Sequence, residues 1–204
     1  MVRNVPLRRE GNQGDRPGTV RSHYKIIYQG ALNLGRGLEL LIRSMHFLED
    51  VRLILAGSGD IEDDLKDLVK EMDLGEKIKF TGRMSPDELK PITCGCDLGV
   101  SLEEDMGLNY RFALPNKIFD YIQCRIPVLC SDLPEMANLV NKYGAGAVVK
   151  ERNPEKLASQ ISAMLELSRK GRWDKSLEKA AGELCWEKEV RHYLDVVEKS
   201  LNNR

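Results

Sequence analysis

The sequence predicts a doubly wound α/β domain, in which a parallel sheet of about six strands carries helices on both faces. Two observations lead to this prediction. Short apolar segments alternate along the chain with longer segments whose apolar residues recur at helical spacing. The short segments are also almost continuously apolar, as strands are when helices cover both faces of a parallel sheet.

The elements can be placed in order along the chain. Strands are predicted at 25–30, 51–56, 77–81, 97–102, 127–130 and 145–149. Helices are predicted at 37–48, at 61–72, from the serine cap Ser85 onward, from Asn116 onward and between the last two strands. Only helical patterns follow Asn153, at 154–167, 175–184 and 186–201, and they form a helical C-terminal tail. The chain therefore divides into an arginine- and glycine-containing connector at 1–23, a Rossmann-like domain at 24–184 and a final helix at 185–204.

Composition narrows the class of partner. The 204 residues carry a formal net charge of −1, with 42% hydrophobic and 31% charged residues, which is typical of a soluble folded domain and provides no field to attract nucleic acid. The N-terminus has no apolar core of signal-peptide length, and no run approaches the roughly 18–20 apolar residues that cross a bilayer. We expect a cytoplasmic protein with no nucleic-acid partner. A peripheral membrane contact through a segment beyond this sequence stays open.

The cysteines and histidines form no recognisable metal or catalytic motif. Cys94-Gly-Cys96 lacks the two-residue spacing of a zinc knuckle or redox motif, and no histidine lies near it in sequence. We expect the five cysteines, at 94, 96, 124, 130 and 185, to be reduced structural thiols. The three histidines, at 23, 46 and 192, have no companions at metal or triad spacing, so we expect no bound metal.

The turns that follow the strands are the candidate ligand sites, because open parallel sheets bind ligands at the carboxyl ends of their strands. The first turn runs from Gly30 to Gly37, where glycines let backbone N–H groups approach a phosphate and Arg36 adds a cation. It matches neither the dinucleotide pattern G-x-G-x-x-G nor a Walker sequence. In the second turn, which starts at Gly57, Glu62 stands at the third glycine position; Glu62 and the acids after it complement the helix dipole.

The later turns are open to two interpretations each. Gly82 and Arg83 form either a base- or sugar-binding turn or a plain loop before a capped helix. The long loop that starts at the acidic residues 103–105 is either functional or a solvated surface. The most informative feature follows this loop, where Lys117 and Asp120 share one face of a helix near its start. A cation and a carboxylate are thereby placed at the ligand-binding edge of the sheet.

Together these segments resemble the C-terminal, sugar-nucleotide-binding domain of GT-B glycosyltransferases of family 4, also called group 1. The family pattern strand-G-R-L-x-x-x-K-G corresponds to GALNLGRG at 30–37, its G-x-G to AGSGD at 56–60, and its F-x-G to IKFTGR at 78–83. Its E-A-M-A-x-G-x-P-V corresponds to DYIQCRIPV at 120–128, and its late S-W-E helix to CWEKEV at 185–190. The resemblance covers roughly nine-tenths of the chain and implies a role in glycan biosynthesis.

The resemblance implies a role for particular residues. Arg36 pairs with the donor diphosphate, Asp120 accepts hydrogen bonds from the ribose hydroxyls, and residues 82–84 lie against the base. The loop at Gly107 and Leu108 offers backbone N–H groups to the sugar or phosphate. With the turn glycines and the start of the Lys117 helix, the expected donor-binding set is Gly30, Arg36, Gly57, Gly82, Arg83, Met84, Gly107, Leu108, Asn116, Lys117 and Asp120.

Two departures from the family pattern affect this set. Ala31 stands where the family has its first cation, and Lys117 is the candidate to replace that charge. The family also has an acid eight residues before the position of Asp120, where this chain has Phe112. The nearest upstream acids are those at 103–105, whose contact with a sugar is therefore left open.

The resemblance implies a whole enzyme larger than this chain. Such an enzyme closes two domains over a cleft, with the acceptor and the usual base on an N-terminal domain. We therefore expect a C-terminal half that binds a nucleotide-diphosphate sugar and no other cofactor. The whole enzyme would be a retaining, metal-independent transferase, and the half alone would be inactive. The alternatives are a non-catalytic nucleotide-sugar-binding or interaction module, and a UDP-sugar epimerase, whose histidine and glutamates cannot be placed here.

Overall fold

The computed structural model describes residues 4–8 and 23–202. Six parallel strands form one sheet in the order β3-β2-β1-β4-β5-β6, which confirms the predicted doubly wound α/β fold. The strands are β1 Tyr24–Gln29, β2 Val51–Ala56, β3 Ile78–Gly82, β4 Leu98–Ser101, β5 Val128–Cys130 and β6 Gly146–Val148.

The helices follow the predicted order, with one addition. A short helix, α4, lies inside the long loop after β4, where none was predicted. The first helix is also shorter than expected and ends in a 3₁₀ turn at Met45–Phe47. The helices are α1 Leu38–Ser44, α2 Glu62–Glu71, α3 Pro86–Cys94, α4 Leu108–Arg111, α5 Asn116–Gln123, α6 Pro134–Tyr143, α7 Pro154–Arg169, α8 Asp174–Glu183 and α9 Trp186–Asn202. Within the described residues, no helix is both long and apolar enough to cross a membrane.

The helices pack as two layers. Helix α1 contacts α2 and α7, whereas α5 contacts α3 and α8, and α8 also contacts α6. From β1 the chain continues to β2 and β3 on one side of the sheet, and from β4 it continues to β5 and β6 on the other side. The strand order therefore reverses between β1 and β4. In doubly wound sheets this reversal opens a crevice at the carboxyl ends of the two strands. The fold therefore places the first turn and the loop after β4 side by side.

Helix α5 is fixed to the sheet by Tyr121. The absence of a side chain at Gly99 in β4 makes room for the Tyr121 ring, which a Cβ at that position would strike. The Tyr121 hydroxyl accepts a hydrogen bond from the backbone N–H of Gln29 at 3.2 Å and donates to the carbonyl of Val100 at 3.2 Å. Tyr121 thus bonds α5 to both β1 and β4, and the start of the helix faces the ends of these two strands.

The described part of the N-terminal segment packs against α9. The backbone N–H of Trp186 donates to the carbonyl of Pro6 at 2.8 Å, and the backbone N–H of Arg8 donates to Glu187 at 2.8 Å. Val5 is buried in the core. Most of the predicted connector at 1–23, namely residues 1–3 and 9–22, lies outside the described residues, so its role as a connector stays a prediction.

The prediction that all five cysteines are reduced is wrong for two of them. Cys94 and Cys124 form a disulfide, with their Cα atoms 4.7 Å apart, while Cys96, Cys130 and Cys185 are buried thiols. Cys94 ends α3 and Cys124 follows α5, so the packing of these two helices brings their C-terminal ends together. A separation of 30 residues gave no sequence signal for this contact.

The end of α5 contains an arginine in a backbone conformation that favours glycine. Arg125 has φ of 60°, and its N–H donates to the Ile122 carbonyl at 3.0 Å, while the Ile126 N–H donates to the Tyr121 carbonyl at 3.1 Å. This is a Schellman motif, in which the left-handed position is usually glycine. The Arg125 side chain bonds to Glu178 of α8 at 2.8 Å, so the arginine adds a contact that glycine lacks.

This conformation yields a test with a matched pair of variants. Arg125→Gly and Arg125→Ala lose the same side-chain contacts, but only alanine retains the left-handed strain. We expect the glycine variant to be more stable than the alanine variant by about 1 kcal/mol. Urea unfolding of both proteins measures the difference. Equal stability, or a more stable alanine variant, would show that this backbone conformation is not the one the protein adopts.

Candidate functional site

Two adjoining cavities lie at the carboxyl ends of the central strands, where the strand order reverses. The first has a volume of about 490 Å³ and the second about 430 Å³. Both are lined by Gly30 and Ala31 at the end of β1 and by Leu89 of α3. One continuous hollow therefore extends from the turn after β2 to the start of α5.

The first cavity is lined mainly by turn backbone. Gly57 has φ of 141°, and a Cβ there would strike the carbonyl oxygen of Gly30, so only glycine fits this close approach of two turns. The N–H of Gly57 donates to the carbonyl of Gly82 at 2.9 Å, which joins the turns after β2 and β3. Arg83 and Met84 line the cavity opposite. Its walls thus include residues from both the second and third predicted turns.

The second cavity brings together three side chains that were predicted to act together. Arg36, Lys117 and Asp120 all line it, although they come from the first turn and from α5. Asn116, at the first position of α5, lines it as well. The arrangement combines two cations and one carboxylate on one hollow.

Lys117 is a buried charge and not a solvated helix residue. Its side chain is 8% exposed, and its Nζ lies 2.8 Å from Glu103 and 3.9 Å from the centre of the Tyr28 ring. Burial lowers the pKa of the Lys117 ammonium below its usual value, and the Glu103 carboxylate opposes that shift. The ion pair therefore keeps a cation at the base of the cavity.

Glu103 is the ion-pair partner of Lys117, and the sequence alone did not identify it in this role. Its side chain is fully buried, which corrects the interpretation of this acid as part of a solvated surface. One carboxylate oxygen receives the Lys117 ammonium, and the other accepts a hydrogen bond from the Ser101 hydroxyl at 2.7 Å. Burial acts to raise the pKa of the Glu103 carboxyl, but Lys117 and the hydrogen bonds outweigh it, so the pKa is lowered.

Arg36 also faces the Glu103 carboxylate, but at a longer distance than Lys117 does. Its Nη1 lies 3.8 Å from Glu103, and its guanidinium lies 5.4 Å from the centre of the Tyr110 ring. Its Nε is buried and, among the described residues, has no hydrogen-bond partner. A buried N–H without a partner is unusual in folded proteins, and here it belongs to a cation that lines a cavity. This arrangement favours an anionic ligand.

Asp120 is held by a chain of hydrogen bonds from neighbouring elements. Its carboxylate accepts from the side-chain amide of Gln29 at 2.7 Å, and the Gln29 carbonyl oxygen accepts from the Thr93 hydroxyl at 2.9 Å. Burial raises the pKa of the Asp120 carboxyl, and the Gln29 bond partly opposes the shift. The carboxylate is thus oriented toward the cavity and retains acceptor capacity for a hydroxyl donor.

The remaining predicted residues lie apart from this hollow. Gly107 and Leu108 begin α4 and line neither cavity, and Leu108 is 74% exposed. Gly82 is not a lining residue, although it touches Gly57 of the first cavity. The donor-binding role of all three stays a prediction.

Sequence reasoning missed three lining or supporting residues, Tyr28, Gln29 and Glu103. The first two belong to β1, which was predicted as an apolar strand with no role for its polar side chains. A usable signal existed, because Gln29 is the last residue of the strand and Glu103 follows β4 closely. Both positions lie at the sheet edge that binds ligands.

Comparison with known protein families identifies the chain. Residues 15–184 match the family model described as "Glycosyl transferases group 1". The chain is a group 1 glycosyltransferase domain. This match confirms the family expected from the turn and helix sequences.

Curated relatives carry related names. An uncharacterized glycosyltransferase of Methanocaldococcus jannaschii is 28% identical over 145 residues, which are 69% of this chain and 35% of that protein. The N-acetylgalactosamine-N,N'-diacetylbacillosaminyl-diphospho-undecaprenol 4-alpha-N-acetylgalactosaminyltransferase of Campylobacter jejuni is 27% identical over 143 residues, which are 69% of this chain and 37% of that protein. The glycosyltransferase domain thus spans about a third of the length of these relatives.

Solved structures show the same fold. Sucrose-phosphate synthase from Thermosynechococcus elongatus superposes with a TM-score of 0.74 at 20% identity, over 89% of this chain and 46% of that one. HepE from Anabaena, solved in complex with UDP, superposes with a TM-score of 0.75 at 16% identity, over 87% of this chain and 49% of that one. The domain therefore corresponds to about half of each of these GT-B glycosyltransferases.

The raised pKa of Asp120 predicts a pH dependence of stability in this glycosyltransferase domain. A carboxyl whose pKa is higher in the folded state stabilises the fold most at low pH, and that contribution is lost as pH rises through the folded pKa. Asp120→Asn cannot ionise and can still accept the Gln29 hydrogen bond. We expect it to gain unfolding free energy relative to the parent as pH rises from about 3 to 7.

Urea unfolding at several pH values measures this gain, and Asp67→Asn, at an exposed position on α2, serves as the control. The control should follow the parent at every pH. Parallel curves for Asp120→Asn and the parent protein would contradict the account of a buried, ionised carboxylate.

Proposed function

We propose that the domain binds the nucleotide-diphosphate sugar donor of a GT-B glycosyltransferase. The observation that carries this proposal is the convergence of Arg36, Lys117 and Asp120 on one cavity at the strand-order reversal. Two cations face the buried Glu103 carboxylate at one end of this cavity, while the Asp120 carboxylate is bonded to Gln29, so an anionic ligand would meet cations at the Arg36 end. The Nε–H of Arg36, which has no partner in the described part of the chain, can donate to a phosphate oxygen.

The two cavities suggest how a donor would be divided between them. The diphosphate occupies the second cavity, beside Arg36 and Lys117, and the ribose hydroxyls donate to Asp120. The base enters the first cavity, against Arg83 and Met84. Because the cavities share Gly30 and Ala31, a single extended ligand can occupy both.

Uridine donors are the first to test. HepE from Anabaena, which shares the fold, has been solved with UDP, with UDP and glucose, and with UDP-glucose. The structure of that protein supplies only the order of testing.

The transfer reaction requires more than this domain. The domain spans about half of the solved structures that it resembles. In this proposal, the acceptor site lies on an N-terminal domain of the same enzyme. We expect the whole enzyme to transfer with retention of configuration and without a metal. We expect the domain alone to bind donor but not to transfer, because half of the cleft that excludes water is missing.

A ligand panel tests donor binding directly. UDP-, GDP- and ADP-sugars are added in turn to the 204-residue chain, and the melting temperature is measured. Since a ligand that binds only the folded state stabilises it, we expect one class of donor to raise the melting temperature. If no donor does so, the alternative of a domain that has lost donor binding and serves in protein interactions is favoured. The observation that favours this alternative is Ala31, which stands where the family has its first cation.

The role of Arg36 can be tested with a matched control. A charge-assisted hydrogen bond contributes about 1.5–3 kcal/mol, so Arg36→Ala should weaken the binding of the stabilising donor roughly 10–100-fold. Arg43→Ala removes the same charge from an exposed position on α1 and should bind like the parent. Isothermal titration calorimetry measures both affinities. Equal binding by Arg36→Ala and the parent would refute the diphosphate assignment.

A further inference from the structure

We infer that Glu103 is a positioning residue of the donor site, which keeps Lys117 charged and directed at the cavity rather than touching the sugar itself. The inference rests on the proposed function, because it assigns Lys117 to the donor diphosphate. It also gives a role to one of the acids at 103–105, whose contact with a sugar the sequence left open.

The placement of Glu103 leaves no free atom for a sugar. Its side chain has no exposed surface, and its two oxygens are engaged by Lys117 and by the Ser101 hydroxyl. Glu103 follows β4, and Glu104, the next residue, is bonded through its backbone N–H to the Gly35 carbonyl at 2.9 Å. The chain direction is thus fixed on both sides of the carboxylate, which faces inward.

Lys117 depends on this carboxylate for its charge. The groups that face it are Tyr28 from β1, Arg36 from the first turn, Glu103 after β4 and Asp120 from its own helix. Burial and the nearby Arg36 charge both lower the pKa of Lys117, and Glu103 is the group that raises it. The neighbouring Asp120 carboxylate is directed to Gln29 instead. Without Glu103, Lys117 would therefore lose its proton at a lower pH.

The same carboxylate sets the geometry of the cavity. It lies 2.8 Å from Lys117 and 3.8 Å from Arg36, so both cations are drawn to one point between the first turn and α5. A Cβ at Gly30 would lie 3.7 Å from the Lys117 Nζ, which puts that ammonium directly behind the turn. An anion that enters at Gly30 would meet the ammonium, while Glu103 lies on the buried side.

The test is the pH profile of donor binding by Glu103→Gln. UDP-glucose serves as the probe because its diphosphate does not titrate near neutrality. Calorimetry from pH 6 to 8.5 should give the parent a nearly constant affinity. The affinity of the variant should fall relative to the parent as pH rises, by about tenfold once Lys117 is neutral, because an uncharged amine no longer attracts the diphosphate. A loss that is equal at every pH, or no loss, overturns the inference.

Two variants serve as controls for this profile. Glu104→Gln removes the neighbouring carboxylate, which pairs with Arg152, and should keep the flat profile of the parent. Glu103→Gln combined with Lys117→Met has no amine to titrate, so its affinity should be low and independent of pH. A pH-dependent loss in the double variant would place the titrating group elsewhere and overturn the inference.

A direct measurement does not depend on the folding of the variant or on the choice of donor. Lysine labelled with ¹³C at Cε reports the charge of Lys117 in the ligand-free parent, and Lys117→Met identifies its resonance. We expect the charged form at pH 7.5, and neutral Lys117 there overturns the inference. If Lys117 is charged but no donor of the panel binds, it is the proposed function that fails, and the ion pair then has only a structural role.

Discussion

The buried ion pair of Lys117 and Glu103 is the interaction on which the proposed site depends. Burying either charge alone would be costly, so each requires the other, and the pair ties α5 to the loop after β4. A second cation, Arg36, faces the same carboxylate, so Glu103 draws two cations to one end of the cavity. In the proposed site, both cations are therefore in place before a ligand binds.

The fold gives this cluster its position. The reversal of strand order between β1 and β4 opens the crevice, and glycines close to it let the turns approach each other. Tyr121, packed where Gly99 lacks a side chain, fixes the face of α5 that carries Lys117 and Asp120. Tyr121 lies four residues after Lys117, on the same side of the helix, so its packing against the sheet also holds Lys117 beside the strand ends.

Most of the fold could be predicted from the sequence, because buried parallel strands are continuously apolar and their order along the chain fixes a doubly wound topology. The convergence of Arg36, Lys117 and Asp120 was also predictable, since each lies near the carboxyl end of a strand. The partner of Lys117 was not. The acids at 103–105 are alike in sequence, and only the inward direction of the chain after β4 selects Glu103 for burial.

Contacts between distant segments account for the other differences. The Cys94–Cys124 disulfide joins two helix ends through tertiary packing, and no local pattern encodes it. Arg125 occupies a left-handed position usually filled by glycine because its side chain gains a partner on α8. In both cases a neighbour in space, rather than in sequence, decides the chemistry.

The most direct test of the central claim is the ¹H–¹⁵N signal of the Arg36 Nε–H group, assigned with Arg36→Lys. The account predicts that the donor selected by the panel shifts this signal strongly and slows its exchange with water, because the unpartnered N–H acquires a phosphate oxygen. If the donor binds and this signal neither shifts nor gains protection, the diphosphate does not lie in the Arg36–Lys117 cavity.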